Sequence, residues 1–137
     1  MVIAINTRIL SGDTAAAKLL VSYFTNIAVD NPDHQFYFIS EKEAWPVAKL
    51  SNLKPIAIKQ DSLSPLLWKL WYNYKLPSIL KKIKADVLVS ADGICSLRTK
   101  VPQYVLVNDL EYLHHPDWYS KKYHSFIKSM IDRKSVV

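Results

Sequence analysis

The sequence predicts an α/β fold in which helices cover both faces of a parallel β-sheet. Short, continuous apolar runs with β-branched residues alternate with longer segments whose apolar residues recur at helical spacing. Small or polar residues follow the fourth and fifth predicted strands, at the edge where parallel sheets bind ligands. A length of 137 residues fits one domain, and a composition of 50% hydrophobic and 22% charged residues excludes a disordered chain.

Five strands are predicted, each from a short run that would be buried on both faces of the sheet. They span residues 2–5, 35–39, 55–58, 86–90 and 103–107.

The first predicted helix follows an N-cap at Asp13 or Thr14 and stops at Asn31-Pro32. Its apolar positions are Leu19, Leu20, Tyr23, Phe24, Ile27 and Ala28. A short helix around Trp45 is also predicted within residues 41–50, although Pro46 disfavours it.

A third helix is predicted to begin at Pro65 after the N-cap Ser64, and to kink or restart at Pro77. Its spacing places five apolar residues on one face, namely Leu66, Leu67, Leu70, Trp71 and Tyr74. The last helix is predicted to begin at Asp117 and to run from residue 118 to about residue 133.

Charge is unevenly distributed along the chain. Residues 1–48 carry three basic and five acidic side chains, whereas the remainder carries fifteen basic and seven acidic ones. Such a basic excess attracts phosphates of nucleic acids, anionic lipids or sugar nucleotides, and its sign alone does not choose among them. The single cysteine, Cys95, cannot form an internal disulfide, which favours a reducing compartment and a buried structural role. No apolar run is long enough for a membrane span, and we expect no signal peptide.

Seven stretches of the chain carry a family resemblance. They are IAINTR (3–8), NPDHQF (31–36), LLWKLW (66–71), KADVL (84–88), SADG (90–93), TKVP (99–102) and VNDLE (107–111). In this order they resemble the N-terminal half of bacterial group 1 glycosyltransferases, which are retaining, two-domain GT-B enzymes that use sugar nucleotides. The resemblance implies a Rossmann-like three-layer domain on the acceptor side of an enzyme of cell-envelope polysaccharide biosynthesis. Such an enzyme transfers a sugar to a glycan or to a lipid-linked acceptor.

The resemblance also implies a substrate-binding edge beyond the strand ends. Its residues would be Thr7, Arg8, Gly12, Asp13, Asp92, Gly93, Asn108, Asp109 and Glu111. For Asp92 and Gly93, and likewise for Asn108, Asp109 and Glu111, the alternative is a structural role in helix capping and turns. Arg8 would either clamp a phosphate or carboxylate, or pair with Asp109 or Glu111.

Three departures from the family pattern limit what the resemblance implies. The loop at residues 11–17 has one glycine, and Asn108 replaces a frequent histidine that could transfer a proton. The paired glutamates of the family's C-terminal donor domain have no counterpart among Glu41, Glu43 and Glu111. We therefore expect an incomplete acceptor-side domain over residues 1–137, with no catalytic residue and no cofactor of its own, inactive without a donor domain.

The aromatic cluster of the third helix and the pair of adjacent histidines each have more than one interpretation. The aromatic residues of the third helix, with the neighbouring lysines, form either part of the core or a face for a membrane or acceptor lipid. These aromatic residues are Trp68, Trp71, Tyr72 and Tyr74. The adjacent His114 and His115 lack a third ligand at suitable spacing, so no metal site is predicted.

The expected partners are an acceptor saccharide or lipid-linked glycan, together with a C-terminal donor domain or further copies of the chain. We expect a cytoplasmic location, with the inner face of the membrane as an alternative. A non-catalytic saccharide-binding or protein-binding module is the main rival interpretation. A nucleic-acid-binding domain is the weaker one, because no nucleic-acid-recognition motif is present.

Overall fold

A parallel five-stranded sheet forms the centre of the structure. The computed structural model describes residues 1–7, 15–40, 50–58, 64–107 and 110–131. Its strands are β1 (Val2–Asn6), β2 (Gln35–Ser40), β3 (Leu53–Ala57), β4 (Val87–Ser90) and β5 (Gln103–Val105). They are arranged in the order β3-β2-β1-β4-β5, and every neighbouring pair is parallel. The predicted parallel sheet is confirmed.

Helices cover both faces of the sheet. The helical elements are α1 (Ala15–Asp30), α2 (Pro65–Leu70), a π-helical turn (Trp71–Lys75), α3 (Leu76–Lys82), α4 (Glu111–His114), a 3₁₀ turn (Pro116–Trp118) and α5 (Lys121–Ile131). The predicted cap of α1 at Asp13 or Thr14 and the predicted helix around Trp45 lie outside the described residues. Within the described part of the chain, no helix has the length and apolarity required to cross a membrane.

Two separate hydrophobic clusters show that both faces of the sheet are covered. One cluster joins Ile5 and Phe38 to Phe24 of α1, with the two phenylalanine rings in an edge contact at 6.2 Å. The other joins Ala4 to Leu80 of α3 and other apolar residues. Because Ala4 and Ile5 are neighbours in β1, they point to opposite faces. The result is the three-layer α/β arrangement of a Rossmann-like fold, with α1 on one side and α2, α3 and α5 on the other.

The strand boundaries differ slightly from the prediction. Strand β3 begins at Leu53 and contains Pro55, which is tolerated because, among the described residues, β3 pairs on one side only, with β2. Strand β5 is shorter than predicted and ends at Val105.

The predicted inner face of the third helix is wrong in part. Trp71 is buried as predicted, but Leu66, Leu67, Leu70 and Tyr74 are exposed by 67%, 40%, 45% and 56%. The buried face consists of Trp71, Tyr72, Asn73, Leu76 and Leu80. A π-helical turn interrupts the α-helix at Trp71–Lys75, so that the α-helical spacing assumed from the sequence does not continue through it. Helix α3 restarts at Leu76, next to Pro77, as predicted.

The last predicted helix is divided into three elements. Asp117 and Trp118 lie in the 3₁₀ turn, and Tyr119 has extended backbone angles. Helix α5 begins only after Ser120, whose Oγ accepts a hydrogen bond from the Tyr123 N–H at 3.2 Å. Ser120 therefore acts as the N-cap of α5, and the predicted start of the last helix at Asp117 is wrong.

We predict that Leu80→Ala and Leu70→Ala differ sharply in stability. Leu80 is fully buried, so its truncation should lower the free energy of unfolding by about 2–5 kcal/mol. Leu70→Ala should change it by less than about 0.5 kcal/mol, because Leu70 is exposed. Urea denaturation measures both values, and equal losses would contradict the observed orientation of the helix.

Candidate functional site

The strand order predicts a ligand-binding crevice at one point of the sheet. From β1 the chain proceeds to β2 and β3 on one side, and later to β4 and β5 on the other. The connections therefore diverge between β1 and β4, and ligands of parallel α/β sheets bind beyond the strand ends at such a switch point. Asn6 and Ser90 end these two strands and are paired in register.

Asp92 holds the crevice together through its carboxylate. Its Oδ2 accepts hydrogen bonds from Asn6 Nδ2 at 2.8 Å and from the Tyr72 hydroxyl at 2.5 Å. Its Oδ1 accepts one from the Ile94 N–H at 3.2 Å. Donors from β1, the π-helical turn and the loop after β4 therefore meet on one carboxylate that is itself half-buried. Hydrogen bonds to an ionised acceptor are stronger than neutral ones, so Asp92 fixes the relative positions of these segments.

Gly93 allows the loop to turn back onto Asp92. Its φ is +77°, which an L side chain rarely adopts, and it is buried. A Cβ at this position would lie 3.7 Å from the Leu106 carbonyl oxygen, an ordinary contact, so the backbone angle and not the available space requires glycine. The resulting Asx turn brings the Ile94 N–H to the carboxylate.

Ser90 contributes a buried hydroxyl to the same place. Its side chain is fully buried, and its Oγ has no hydrogen-bond partner among the described residues. Ser90 lies two positions after Leu88 and Asn6 two positions after Ala4, so both point to the sheet face covered by α2 and α3. Tyr72 lies on that face as well. A buried hydroxyl without a partner is uncommon in native proteins, and a bound polar group would satisfy it.

Thr7 has a structural position beside the crevice. It is 1% exposed, and both its N–H and its hydroxyl donate to the Ile39 carbonyl oxygen, at 3.0 and 3.2 Å. These bonds tie the end of β1 to the end of β2. The other predicted residues of this edge, Arg8, Gly12, Asp13, Asn108 and Asp109, lie outside the described residues.

Glu111 belongs to a different surface feature. With Leu110, His114, His115 and Trp118 it lines a shallow pocket of about 400 Å³. Its Oε2 accepts a hydrogen bond from the Tyr119 hydroxyl at 3.0 Å.

The two adjacent histidines are placed by aromatic packing. The His115 ring stacks on Trp118 with centroids 4.2 Å apart and planes 9° apart. Within the described ranges, no three His, Cys, Asp or Glu side chains are grouped as a metal site would require.

A second pocket, which the sequence analysis did not predict, lies beside β5. It has a volume of about 520 Å³ and a lining that is more apolar than polar. The lining residues are Cys95, Thr99, Lys100, Val101, Pro102, Gln103, Val105, Val107 and Ile131. Cys95 is buried, as predicted, and its thiol donates to the Met130 carbonyl oxygen.

Comparisons with known proteins do not assign a family or a function to the chain. No protein-family profile matches the chain, and neither the curated proteins nor the solved structures contain a significant match.

We predict that Tyr72→Phe lowers the free energy of unfolding by about 1.5–3 kcal/mol, because the variant removes a hydrogen bond to the Asp92 carboxylate. Tyr74→Phe is the matched control. Its hydroxyl is two residues away and accepts a hydrogen bond from the exposed Arg98 guanidinium, so its loss should cost less than about 0.5 kcal/mol. Chemical denaturation of both variants tests the difference, and equal losses would argue against Asp92 as the organising group.

Proposed function

We propose that this chain is the acceptor-binding half of a glycosyltransferase that transfers a sugar from a nucleotide sugar to a glycan or lipid-linked acceptor. The proposal rests on the family resemblance of the sequence and on one structural observation, the cluster of polar side chains at the predicted crevice between β1 and β4. Asn6 and Tyr72 donate to Asp92 there, and Ser90 is paired in register with Asn6, at the switch point of a parallel sheet.

The chemistry of the crevice suits a polyhydroxylated ligand. Each sugar hydroxyl both donates and accepts hydrogen bonds, and it is recognised best by fixed groups of both kinds. The Ser90 hydroxyl is buried and can either donate or accept a hydrogen bond. It is held on a strand, where it has little freedom to move. Asp92 is a positioning residue in this proposal, because its carboxylate orients Asn6 and Tyr72.

In this proposal the chain positions the acceptor and does not stabilise the leaving diphosphate. Holding the acceptor hydroxyl in a fixed orientation is a recognised source of catalytic rate. The charge stabilisation of the leaving group is assigned to a separate donor domain, as the resemblance implies.

A non-catalytic saccharide-binding module is the second candidate. The shallow pocket at Glu111 favours it, because an exposed Trp118 ring beside a carboxylate offers one apolar surface and one hydrogen-bond acceptor. Such a module would bind saccharides at that pocket and would not use the crevice.

We predict opposite effects of Ser90→Ala on stability and on saccharide binding. The variant removes a buried hydroxyl that has no hydrogen-bond partner among the described residues, so the free energy of unfolding should rise by roughly 1 kcal/mol. If the hydroxyl contacts the acceptor, affinity for the saccharide should fall about 3- to 10-fold. Saturation-transfer NMR with glucose, galactose, mannose and N-acetylglucosamine identifies a binding sugar, and titration gives its affinity.

Ser96→Ala is the matched control for this experiment. Ser96 is also fully buried, but its Oγ accepts the N–H groups of Arg98 and Thr99 at 3.4 and 3.3 Å. This variant should lose about 1 kcal/mol of stability and keep saccharide affinity unchanged. Binding that survives Ser90→Ala but is abolished by Trp118→Ala would favour the non-catalytic module.

We also predict that the chain does not bind nucleotide sugars. Calorimetry with uridine diphosphate glucose and guanosine diphosphate mannose should give no micromolar affinity, because the proposal assigns diphosphate recognition to a separate domain. Micromolar binding of either donor would contradict this assignment.

A further inference from the structure

The helical segment from α2 to α3 carries an exposed apolar patch. We define the helical apolar patch as Leu66, Leu67, Leu70 and Tyr74, whose side chains are 40–67% exposed. The opposite side of the same segment is fixed in the core by Trp71, Tyr72 and Leu76. The patch is therefore presented on a rigid element, and its exposure does not require any part of the fold to open.

Basic side chains lie near the patch. Residues 64–107 contain seven basic side chains, all exposed, and only two acidic ones. Lys69 and Lys75 lie within or next to the patch in the chain, and the Arg98 guanidinium lies 4.6 Å from the Tyr74 ring centroid. An apolar strip bordered by lysine and arginine is the composition of helices that lie in the interface of anionic membranes.

Helix α1 provides an internal comparison. It also exposes apolar residues, among them Leu19 at 72% and Val29 at 56%. Residues 15–40, however, contain one basic and two acidic side chains, so this surface does not attract anions. Exposed apolar side chains are common on proteins, and it is the combination with positive charge that distinguishes the helical apolar patch.

We propose that the helical apolar patch docks on the surface of an anionic lipid bilayer, with its leucines inserted between the headgroups and its basic residues bound to them. The proposal does not depend on the saccharide specificity of the crevice. It rests on the complementarity between the basic residues next to the patch, Lys69, Lys75 and Arg98, and the negative charge of the lipids.

Vesicle flotation with the full chain tests the proposal. The protein should bind vesicles of equal parts phosphatidylglycerol and phosphatidylcholine at about 0.1 M salt, and should not bind phosphatidylcholine alone. Leu66→Gln with Leu70→Gln should weaken binding at least about tenfold without changing the net charge. Lys69→Gln or Lys75→Gln should each weaken it about fivefold.

The control is Leu19→Gln with Val29→Gln on α1, which should leave binding within about twofold of the unmodified chain. Thermal melting verifies that each variant is folded. The proposal is overturned if anionic vesicles are not bound, if neutral vesicles are bound equally, or if Leu66→Gln with Leu70→Gln binds as well as the unmodified chain. It is also overturned if the unmodified chain does not bind vesicles and sedimentation shows that it is a dimer, whereas the Leu66→Gln, Leu70→Gln variant is a monomer.

Discussion

The arrangement of the sheet end depends on the hydrogen bonds to one carboxylate, that of Asp92. Its oxygens accept from Asn6 at the end of β1, from Tyr72 on the covering helix and from Ile94 in the loop after β4. A half-buried carboxylate is costly unless donors compensate for its lost hydration. Removing any one donor leaves that cost partly uncompensated, so the three segments are held to one another, and the crevice keeps a defined shape.

The π-helical turn makes this arrangement possible. Trp71, Tyr72 and Asn73 are consecutive and all buried, although consecutive residues of an α-helix point in different directions. Each has a separate function in the fold: Trp71 packs in the core, Tyr72 donates to Asp92, and the Asn73 side chain accepts the Leu97 N–H at 2.8 Å. Such turns are rare and are frequently found at functional sites. The change of helical phase also leaves Leu66 and Leu70 outside the core.

These two features explain how much the sequence could predict. The strands were predictable because burial on both faces requires continuous apolar runs, as in β1 and β2. The position of Asp92 beyond the end of β4 was predictable because it follows a strand of a parallel sheet, whereas its assignment to a substrate site stays a prediction. The hydrogen bond from Tyr72 to Asp92 was not predictable from the sequence. A π-helical turn has no periodic sequence signal, and Tyr72 was assigned to an aromatic cluster. The buried Ser90 hydroxyl, which has no hydrogen-bond partner among the described residues, was not predicted either. The sequence of a small residue at a strand end does not show whether its hydroxyl will find a partner.

The two proposals together restrict the class of acceptor. Tyr72 faces the crevice, while Leu70 and Tyr74 of the same helical segment face outward. An α-helix with its side chains is about 10–12 Å wide, so a bilayer touching the patch would lie roughly one helix diameter from the crevice. A lipid-linked glycan could then reach this end of the sheet, near Asp92, while its lipid stays in the bilayer. A free glycan would gain nothing from this proximity, so patch and crevice together favour the lipid-linked acceptor.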